Sequence, residues 1–276
     1  MTAMHAPRRT IELRPRLRTA LAVVLLGLAV AATAPSAEAI HRGSDADFAS
    51  YPFMVSLRLA QTPDKPRCGG TLIAADIVLT AGHCVVGIPQ GGLVAVVGAD
   101  VPDWAAAPRV ATVAYRTPGG FDLRRDNRHD IALVQLAVPQ QSEGIALARS
   151  EPRVGAKVVT VGWGCTNAPP ACVVHPTRLQ ASEQSVLRDA SCGTDVFWVP
   201  PMFDRTTICT KGIRPRSTVN HGDSGGPLLV RDGSGSFRQV GVTSLGADSK
   251  VKLYAGFTSV PLERNWIARA IASLRR

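Results

Sequence analysis

Short hydrophobic runs alternate with turn-forming residues along most of the chain from residue 40 onward. Ten runs are rich in β-branched and aromatic residues and predict strands: Phe53–Leu59, Gly70–Ala74, Ile77–Thr80, Leu93–Gly98, Val110–Tyr115, Ile131–Leu136, Lys157–Gly162, Gly226–Val230, Gln239–Ser244 and Ala255–Val260. The last stretch instead has apolar residues at helical i, i+3, i+4 spacing: Leu262, Trp266, Ile267, Ala270, Ile271 and Leu274. The pattern therefore predicts an all-β sandwich or pair of barrels followed by one C-terminal helix.

The first 39 residues follow a different pattern. A basic start with five arginines precedes an uncharged run whose apolar centre is Ala20–Ala32, and Ala37-Glu38-Ala39 follows. This order is typical of a secretory signal peptide with a small-residue cleavage site, so we expect export. A membrane anchor is the weaker alternative, because a span needs roughly 20 apolar residues. Arg8-Arg9 could start a twin-arginine signal, although the residues after it match poorly.

Composition and charge narrow the classes of protein. The 276 residues are 45% hydrophobic and 19% charged, which suits a packed core and not a disordered chain. Without the five arginines and two glutamates of residues 1–39, the net charge falls from +10 to +7. The densest basic cluster is interleaved with acidic residues, which favours solvated loops over a nucleic-acid surface. It comprises Arg124, Arg125 and Arg128 with Asp122, Asp126 and Asp130.

Six cysteines are an even number, and in an exported chain they predict three disulfides. They are Cys68, Cys84, Cys165, Cys172, Cys192 and Cys209, and 15 pairings are possible. A zinc site is the competing interpretation. It is weak because the chain has no C-x-x-C, and adjacent His83-Cys84 lacks the usual ligand spacing. We therefore expect no metal and no other cofactor.

Three segments carry residues suited to catalysis: Thr80-Ala81-Gly82-His83-Cys84, His129-Asp130-Ile131-Ala132-Leu133 and Gly222-Asp223-Ser224-Gly225-Gly226-Pro227. Each has a structural explanation when taken singly: a core histidine, a turn aspartate or a tight glycine loop. Together, in the order His, Asp, Ser, they match the needs of a serine nucleophile. A serine hydroxyl needs an imidazole to take its proton, and the imidazole needs a carboxylate to orient it. The glycines free backbone N–H groups to face a developing oxyanion.

These motifs resemble those of the trypsin/chymotrypsin-type serine proteases, from Ile40 to the C-terminal helix. The resemblance implies two six-stranded antiparallel Greek-key barrels, at about residues 40–150 and 151–261, and a helix at about 262–276. It implies that His83 is the general base, Asp130 orients it and Ser224 is the nucleophile. The N–H groups of Gly222 and Ser224 would form the oxyanion hole. An esterase of the α/β-hydrolase type fits poorly, because its motif order is Ser, Asp, His and its elbow is G-x-S-x-G.

The same resemblance suggests disulfide partners. Cys68 with Cys84 resembles the pair that pins the histidine loop, and Cys192 with Cys209 resembles a bridge beside the primary pocket. Cys165 and Cys172 then remain as a short loop clip.

Activation in this family depends on a new N-terminal Ile whose ammonium pairs with the Asp before the nucleophile. By resemblance these residues are Ile40 and Asp223. Because Ile40 directly follows Ala37-Glu38-Ala39, signal peptidase itself could expose the activating terminus. Cleavage after Ala34, leaving a short propeptide, is the alternative. The sequence Ile40-His41-Arg42-Gly43 also departs from the usual IVGG or IxGG.

Substrate preference follows from resemblance to the primary pocket. Thr218 occupies the pocket floor, where a carboxylate would select Lys or Arg, so we expect a preference for uncharged residues. Ser244, Leu245 and Gly246 resemble the strand that lines the pocket and binds substrate backbone. Asn220 stands where many members have a cysteine, so the usual bracing disulfide is absent.

The sequence thus predicts a secreted serine endopeptidase that acts on proteins or peptides through an acyl-enzyme. We expect a monomer with no stable membrane anchor and no nucleic-acid partner. Protein inhibitors of proteases are possible partners. The alternative is a catalytically silent binding or adhesion protein on the same scaffold.

Overall fold

The computed structural model describes residues 40–98, 105–119, 121, 128–166, 172, 175–188, 206–214, 217–246 and 254–276. All of them belong to one compact unit, Ala37–Arg276. The predicted signal peptide, residues 1–39, lies outside the described residues, as do Arg124, Arg125, Asp122 and Asp126. Within the described ranges, no helix has the length and apolar character needed to cross a membrane.

The described ranges contain strands β1 to β13, two short 3-10 helices and one α-helix, α1. The strands are β1 (Ser44–Asp45), β2 (Met54–Leu59), β3 (Cys68–Ala74), β4 (Ile77–Thr80), β5 (Leu93–Val97), β6 (Val110–Arg116), β7 (Ala132–Leu136), β8 (Lys157–Gly162), β9 (Gln180–Val186), β10 (Thr207–Gly212), β11 (Pro227–Arg231), β12 (Phe237–Gly246) and β13 (Tyr254–Ser259). The 3-10 helices are Phe48–Ser50 and Gly82–Cys84, and α1 is Val260–Leu274.

The first barrel closes in the order β2-β3-β4-β7-β6-β5, with every pairing antiparallel. Strand β2 pairs with β3 on one side and β5 on the other, so no strand of this barrel is left with an open edge. Because the strands close on themselves, the barrel forms a packed interior, and its connecting loops can carry functional residues.

The second barrel contains β9-β10-β13-β12-β11-β8, and the antiparallel pairing of β8 with β9 closes it. The short strand β1 adds to β9 through the pairs Ser44↔Ala181 and Asp45↔Gln180. The two six-stranded antiparallel barrels predicted from the sequence are therefore confirmed, with a C-terminal helix after the second barrel.

All ten strands predicted from the sequence are present, each with ends within two residues of the prediction. Strands β1, β9 and β10 are not predicted. Strand β9 escapes detection because three residues of its buried face, Gln180, Ser182 and Gln184, are polar. Hydrogen bonds pair two of these three side chains: Gln184 Nε2 donates to Ser182 Oγ (2.7 Å), and Thr210 Oγ1 donates to Gln184 Oε1 (3.2 Å).

A single hydrophobic cluster joins residues of both barrels and the buried face of α1. A smaller cluster, centred on Phe257 and Leu228, lies within the second barrel. A buried hydrogen bond also crosses between the barrels, from Thr71 Oγ1 on β3 to Gln239 Oε1 on β12 (2.6 Å). The barrels are thus joined by apolar packing and by polar contacts.

Two of the three expected disulfides, Cys68–Cys84 and Cys165–Cys172, are confirmed. Cys209 is also disulfide-bonded. Its predicted partner, Cys192, lies outside the described residues.

The buried face of α1 differs from the predicted one. The helix buries Val260, Glu263, Ile267, Ala270 and Leu274. Leu262, predicted to lie on the apolar face, is 54% exposed, so that prediction is wrong. The reason is that Glu263 takes the buried position in the first turn, and its neighbour Leu262 is rotated by roughly 100° around the helix axis.

We expect Ile267→Ala to lower the free energy of unfolding by about 2–4 kcal/mol, because Ile267 is 3% exposed and its loss leaves a cavity under α1. Leu262→Ala is the matched control and should change it by less than about 0.5 kcal/mol. Urea denaturation of both variants measures the difference. Equal destabilisation by the two would contradict the assigned face of α1.

Candidate active site

His83 lies at the end of the first barrel's strand β4. The strand leads directly into the 3-10 helix Gly82–Cys84, so the histidine follows a buried, paired strand. The disulfide Cys68–Cys84 ties this turn to the start of β3. The His83 side chain remains 21% exposed, so it is fixed at its base and open at its tip.

Asp130 is brought to His83 by strand pairing. It stands just before β7, and β7 pairs with β4 through Thr80↔Ala132. The aspartate is fully buried. Its Oδ1 accepts the His83 backbone N–H (2.8 Å), and its Oδ2 lies 2.7 Å from His83 Nδ1. The carboxylate therefore binds both the backbone and the ring of His83.

The second barrel supplies two further contacts to Asp130. Ser244 Oγ donates to Asp130 Oδ2 (2.6 Å), and Thr258 Oγ1 donates to the Asp130 backbone carbonyl (2.9 Å). The pairing of β12 with β13 shifts register between Thr243 and Leu245, a bulge that removes Ser244 from the regular ladder. The sequence indicates Ser244 only as a pocket-lining residue, and its contact with Asp130 becomes visible only in the structure.

The residue before Asp130 is held by the C-terminal helix. His129 has a left-handed backbone conformation (φ +56°), which costs a non-glycine residue about 1–2 kcal/mol. Its Nδ1 contacts Oε1 of Glu263, the buried glutamate in the first turn of α1. Sequence reasoning missed this pair, because a glutamate on a helix gives no sign of being buried.

Ser224 belongs to a tight loop that rests against the first barrel. Its carbonyl oxygen accepts the Gly69 N–H (2.7 Å), and Cys84 Sγ lies 3.7 Å from the same oxygen. The next residue, Gly225, has φ +80°, and a Cβ there would lie 2.1 Å from Thr80 Oγ1. Only glycine allows this approach, which brings the serine loop onto the segment that precedes His83.

The described residues show no hydrogen bond between the His83 and Ser224 side chains, although the loops that carry them are in contact. In catalytic sites without substrate, the donor–acceptor distance of such a hydrogen bond is often too great for a bond. Gly222, on the other side of Asp223, has φ +96°. In the described part of the chain, no backbone carbonyl accepts the N–H of either Gly222 or Ser224.

Asp223 is a second buried carboxylate. Its Oδ1 accepts the Gly164 N–H (2.8 Å) and its Oδ2 the Asn220 N–H (2.9 Å). Burial outweighs these two hydrogen bonds and raises the pKa of Asp223 to about 7. No Lys, Arg or His of the described ranges forms an ion pair with it. Among these residues, the carboxylate thus has no cationic side chain as a partner.

Ile40 and His41 lie close to the predicted pocket floor. Ile40 is fully buried, with φ +50°. His41 forms an antiparallel bridge with Thr218, and Thr218 N–H donates to the His41 carbonyl (3.1 Å). The Thr218 side chain is buried, and its Oγ1 has no hydrogen-bond partner among the described residues.

The remaining predicted pocket residues lie near one another. A Cβ on Gly246 would lie 3.2 Å from the Val219 carbonyl oxygen, so the end of β12 runs against the segment after Thr218. Leu245 is half-buried and Asn220 is buried. The structure therefore brings the end of β12 against the segment that begins at Thr218.

Similarity to known proteins identifies the family of the chain. The family model named Trypsin matches residues 40–267. The chain belongs to the trypsin family. A trypsin from Sarcophaga bullata is 28% identical over 94% of this chain and 100% of its own length. Human serine protease 56 is 30% identical over 84% of this chain and 38% of its own length.

Among solved structures, neuropsin, a serine protease expressed in the limbic system of mouse brain, superposes with a TM-score of 0.71. It is 24% identical and covers 84% of this chain and 100% of its own, which supports the fold. The trypsin-family chain is therefore a serine-type endopeptidase, and its substrates are proteins.

Two groups of side chains in this trypsin-family chain have metal-ligand chemistry within the described ranges. They are Cys68, His83 and Cys84, and Cys165, Cys172 and His175. In both groups the two sulfur atoms are joined in a disulfide. Zinc binds thiolates, so neither group offers its cysteines as ligands in the oxidised protein.

The buried Asp223 predicts an unusual pH dependence for the stability of the full-length chain. Its folded-state pKa of about 7 lies above the usual 3.8, so the folded state holds the proton more tightly. The free energy of unfolding should therefore fall as the pH rises from about 4 to about 7.

Urea denaturation of Ser224→Ala, retaining residues 1–39, measures this dependence without self-cleavage. In Asp223→Asn on the same background, the fall should be absent or much smaller. The assignment is wrong if both chains show the same slope across this interval.

Proposed function

We propose that this trypsin-family protease hydrolyses peptide bonds through Ser224 as nucleophile, His83 as general base and Asp130 as the orienting carboxylate. The observation that carries the proposal is the 2.7 Å contact between His83 Nδ1 and the buried Asp130 Oδ2. The adjoining Ser224 loop, held on Gly69 and against Thr80, supports it.

Asp130 accepts the Nδ1 proton of His83, so Nε2 is left as the basic nitrogen that can take the Ser224 proton. The hydrogen bonds from Ser244 Oγ and the His83 backbone hold the carboxylate in place for this role. Ser224 Oγ attacks the substrate carbonyl carbon as its proton passes to His83 Nε2. The oxyanion so formed is bound by the N–H groups of Gly222 and Ser224.

His83 then gives the proton to the departing amine, leaving an acyl group on Ser224 Oγ. Water attacks this ester with the help of His83, and the acid product leaves with Ser224 restored. Every proton transfer in this sequence passes through His83, so the cycle depends on the ring orientation that Asp130 imposes.

The pocket residues favour an uncharged side chain at the cleavage position. Thr218 supplies a hydroxyl where a carboxylate would attract Lys or Arg, and its Oγ1 is buried without a partner in the described ranges. A cationic side chain there would lose its hydration without gaining an ion pair. Leu245 adds apolar surface at the end of β12.

Ser224→Ala should abolish labelling by a serine-reactive fluorophosphonate, and Asp130→Asn should lower kcat by about 10⁴-fold through the wrong histidine tautomer. Labelling and cleavage of a peptide library measure both. The library should show cuts mainly after uncharged residues.

Ser150→Ala, at an exposed serine, is the control and should match the unaltered enzyme. Labelling that persists in Ser224→Ala would contradict the assigned nucleophile, and absence of labelling in the unaltered protein would favour the silent binding scaffold. Cleavage mainly after Lys or Arg would contradict the assigned pocket.

Secretion and activation follow from a single cleavage in our proposal. Residues 1–39 would form a signal peptide, and its removal would leave the protease, residues 40–276, beginning at Ile40. The burial of Ile40, the pairing of His41 with Thr218 and the raised pKa of the buried Asp223 support this scheme. The new ammonium of Ile40 would lower the pKa of Asp223 and fix the loop that carries Gly222 and Ser224.

N-terminal sequencing of the exported, active protein should give Ile-His-Arg-Gly. Chemical acetylation of that terminus should lower activity strongly, because it removes the charge that pairs with Asp223. The Asp223→Asn variant is the control, since acetylation should then have little further effect. An active protein that begins elsewhere would contradict direct activation by signal peptidase.

A further inference from the structure

Asn220 uses its buried side chain to join two separate segments. Its Nδ2 donates to the Cys165 carbonyl (2.8 Å), while its Oδ1 accepts the His221 N–H (2.9 Å). Two backbone N–H groups of the other segment donate to the loop in return: Cys165 N–H to the His221 carbonyl (2.7 Å), and Gly164 N–H to Asp223 Oδ1 (2.8 Å). The loop from Asn220 to Ser224 is therefore held along the segment that ends at Cys165.

A ring closed by a disulfide begins at the end of that supporting segment. The disulfide is Cys165–Cys172, and His175 lies against both sulfur atoms, with Nε2 3.6 Å from each. His175 Nδ1 lies 3.0 Å from the Trp163 carbonyl oxygen. A Cβ on Gly222 would lie 2.9 Å from His175 Cε1, so the imidazole of His175 also lies against the loop.

We propose that the Cys165–Cys172 ring supports the oxyanion loop, residues 220–224. Asn220 is the positioning residue, because its hydrogen bond to the Cys165 carbonyl links the loop to the ring. The inference rests on the proposed function, since it assumes that the N–H groups of Gly222 and Ser224 bind the oxyanion. Asn220 touches no reacting atom in this scheme; it acts through the backbone of the loop.

The chemistry of the amide explains why asparagine suits the position. One short side chain must donate to a carbonyl and accept from an N–H at the same time. The substitution Asn220→Asp would keep the acceptor but turn a second oxygen toward the Cys165 carbonyl, close to the buried Asp223. Alanine would leave both backbone groups without this partner. Either change should let the loop shift, and small shifts in oxyanion donors are costly to rate.

The first measurement is steady-state kinetics of Asn220→Ala and Asn220→Asp, with active sites titrated so that unfolded protein is not counted. We expect kcat to fall about tenfold or more, while KM changes by less than about threefold. Asn265→Ala, at an exposed asparagine on α1, is the matched control and should leave both constants unchanged. An unchanged kcat in both Asn220 variants would overturn the proposal.

The second measurement separates positioning of the loop from general weakening. A peptide aldehyde places its oxygen in the oxyanion hole when it binds to Ser224, whereas the matching peptide alcohol does not. We expect Asn220→Ala to lower the affinity for the aldehyde by about tenfold or more and the affinity for the alcohol by less than about threefold. Equal weakening of the two inhibitors would overturn the assignment of Asn220.

A double-mutant cycle tests the role of the ring. The double substitution Cys165→Ser, Cys172→Ser should also lower kcat. In that background, Asn220→Ala should lower kcat by a clearly smaller factor than it does in the unaltered enzyme. Fully independent effects would overturn the link between ring and loop. These outcomes leave the proposed function untouched, because labelling of the unaltered protein and of Ser224→Ala tests that function separately. If Asn220→Ala does not fold, the same cycle is measured with Asn220→Asp and the double substitution Cys165→Ser, Cys172→Ser.

Discussion

Both barrels contribute hydrogen bonds to one buried carboxylate-bearing residue, Asp130, which adds to the apolar packing between them. A charged group removed from water is tolerated only where hydrogen bonds replace its hydration. Asp130 obtains them from both sides, from His83 in the first barrel and from Ser244 in the second, and Thr258 of the second barrel binds its carbonyl. A shift between the barrels would leave this group unsatisfied, so the same contacts that orient the histidine also join the two halves.

A second buried carboxylate, Asp223, is satisfied less completely. Two backbone N–H groups bind it, yet burial still raises its pKa to about 7. The two carboxylates differ in their donors. Asp130 is bound by side-chain and backbone donors of both barrels, whereas Asp223 is bound by two backbone N–H groups and by no cationic side chain of the described residues. In our scheme the free terminus of Ile40 supplies a positive charge to Asp223, which makes the order of the serine loop depend on processing.

The barrels are closed sheets, and the residues that our proposal assigns to catalysis lie on the loops between their strands. Each functional loop is held at several points: the histidine turn by Cys68–Cys84, and the serine loop by Gly69 and by the segment ending at Cys165. Asn220 adds a further attachment of the serine loop, to the Cys165 carbonyl. Such multiple attachment lets short loops keep a precise geometry without being part of a strand.

Much of this was accessible from the sequence. Ten strands could be predicted because their buried faces are apolar, and the residues around His83, Asp130 and Ser224 identified the family before any contact was known. Strand β9 could not be predicted, since its buried face is made of Gln180, Ser182 and Gln184. The same limit applies to Glu263, Ser244 and Asn220. Polar side chains look alike in a sequence whether they face water or a partner, and only the tertiary structure decides which of them are buried and what they bind.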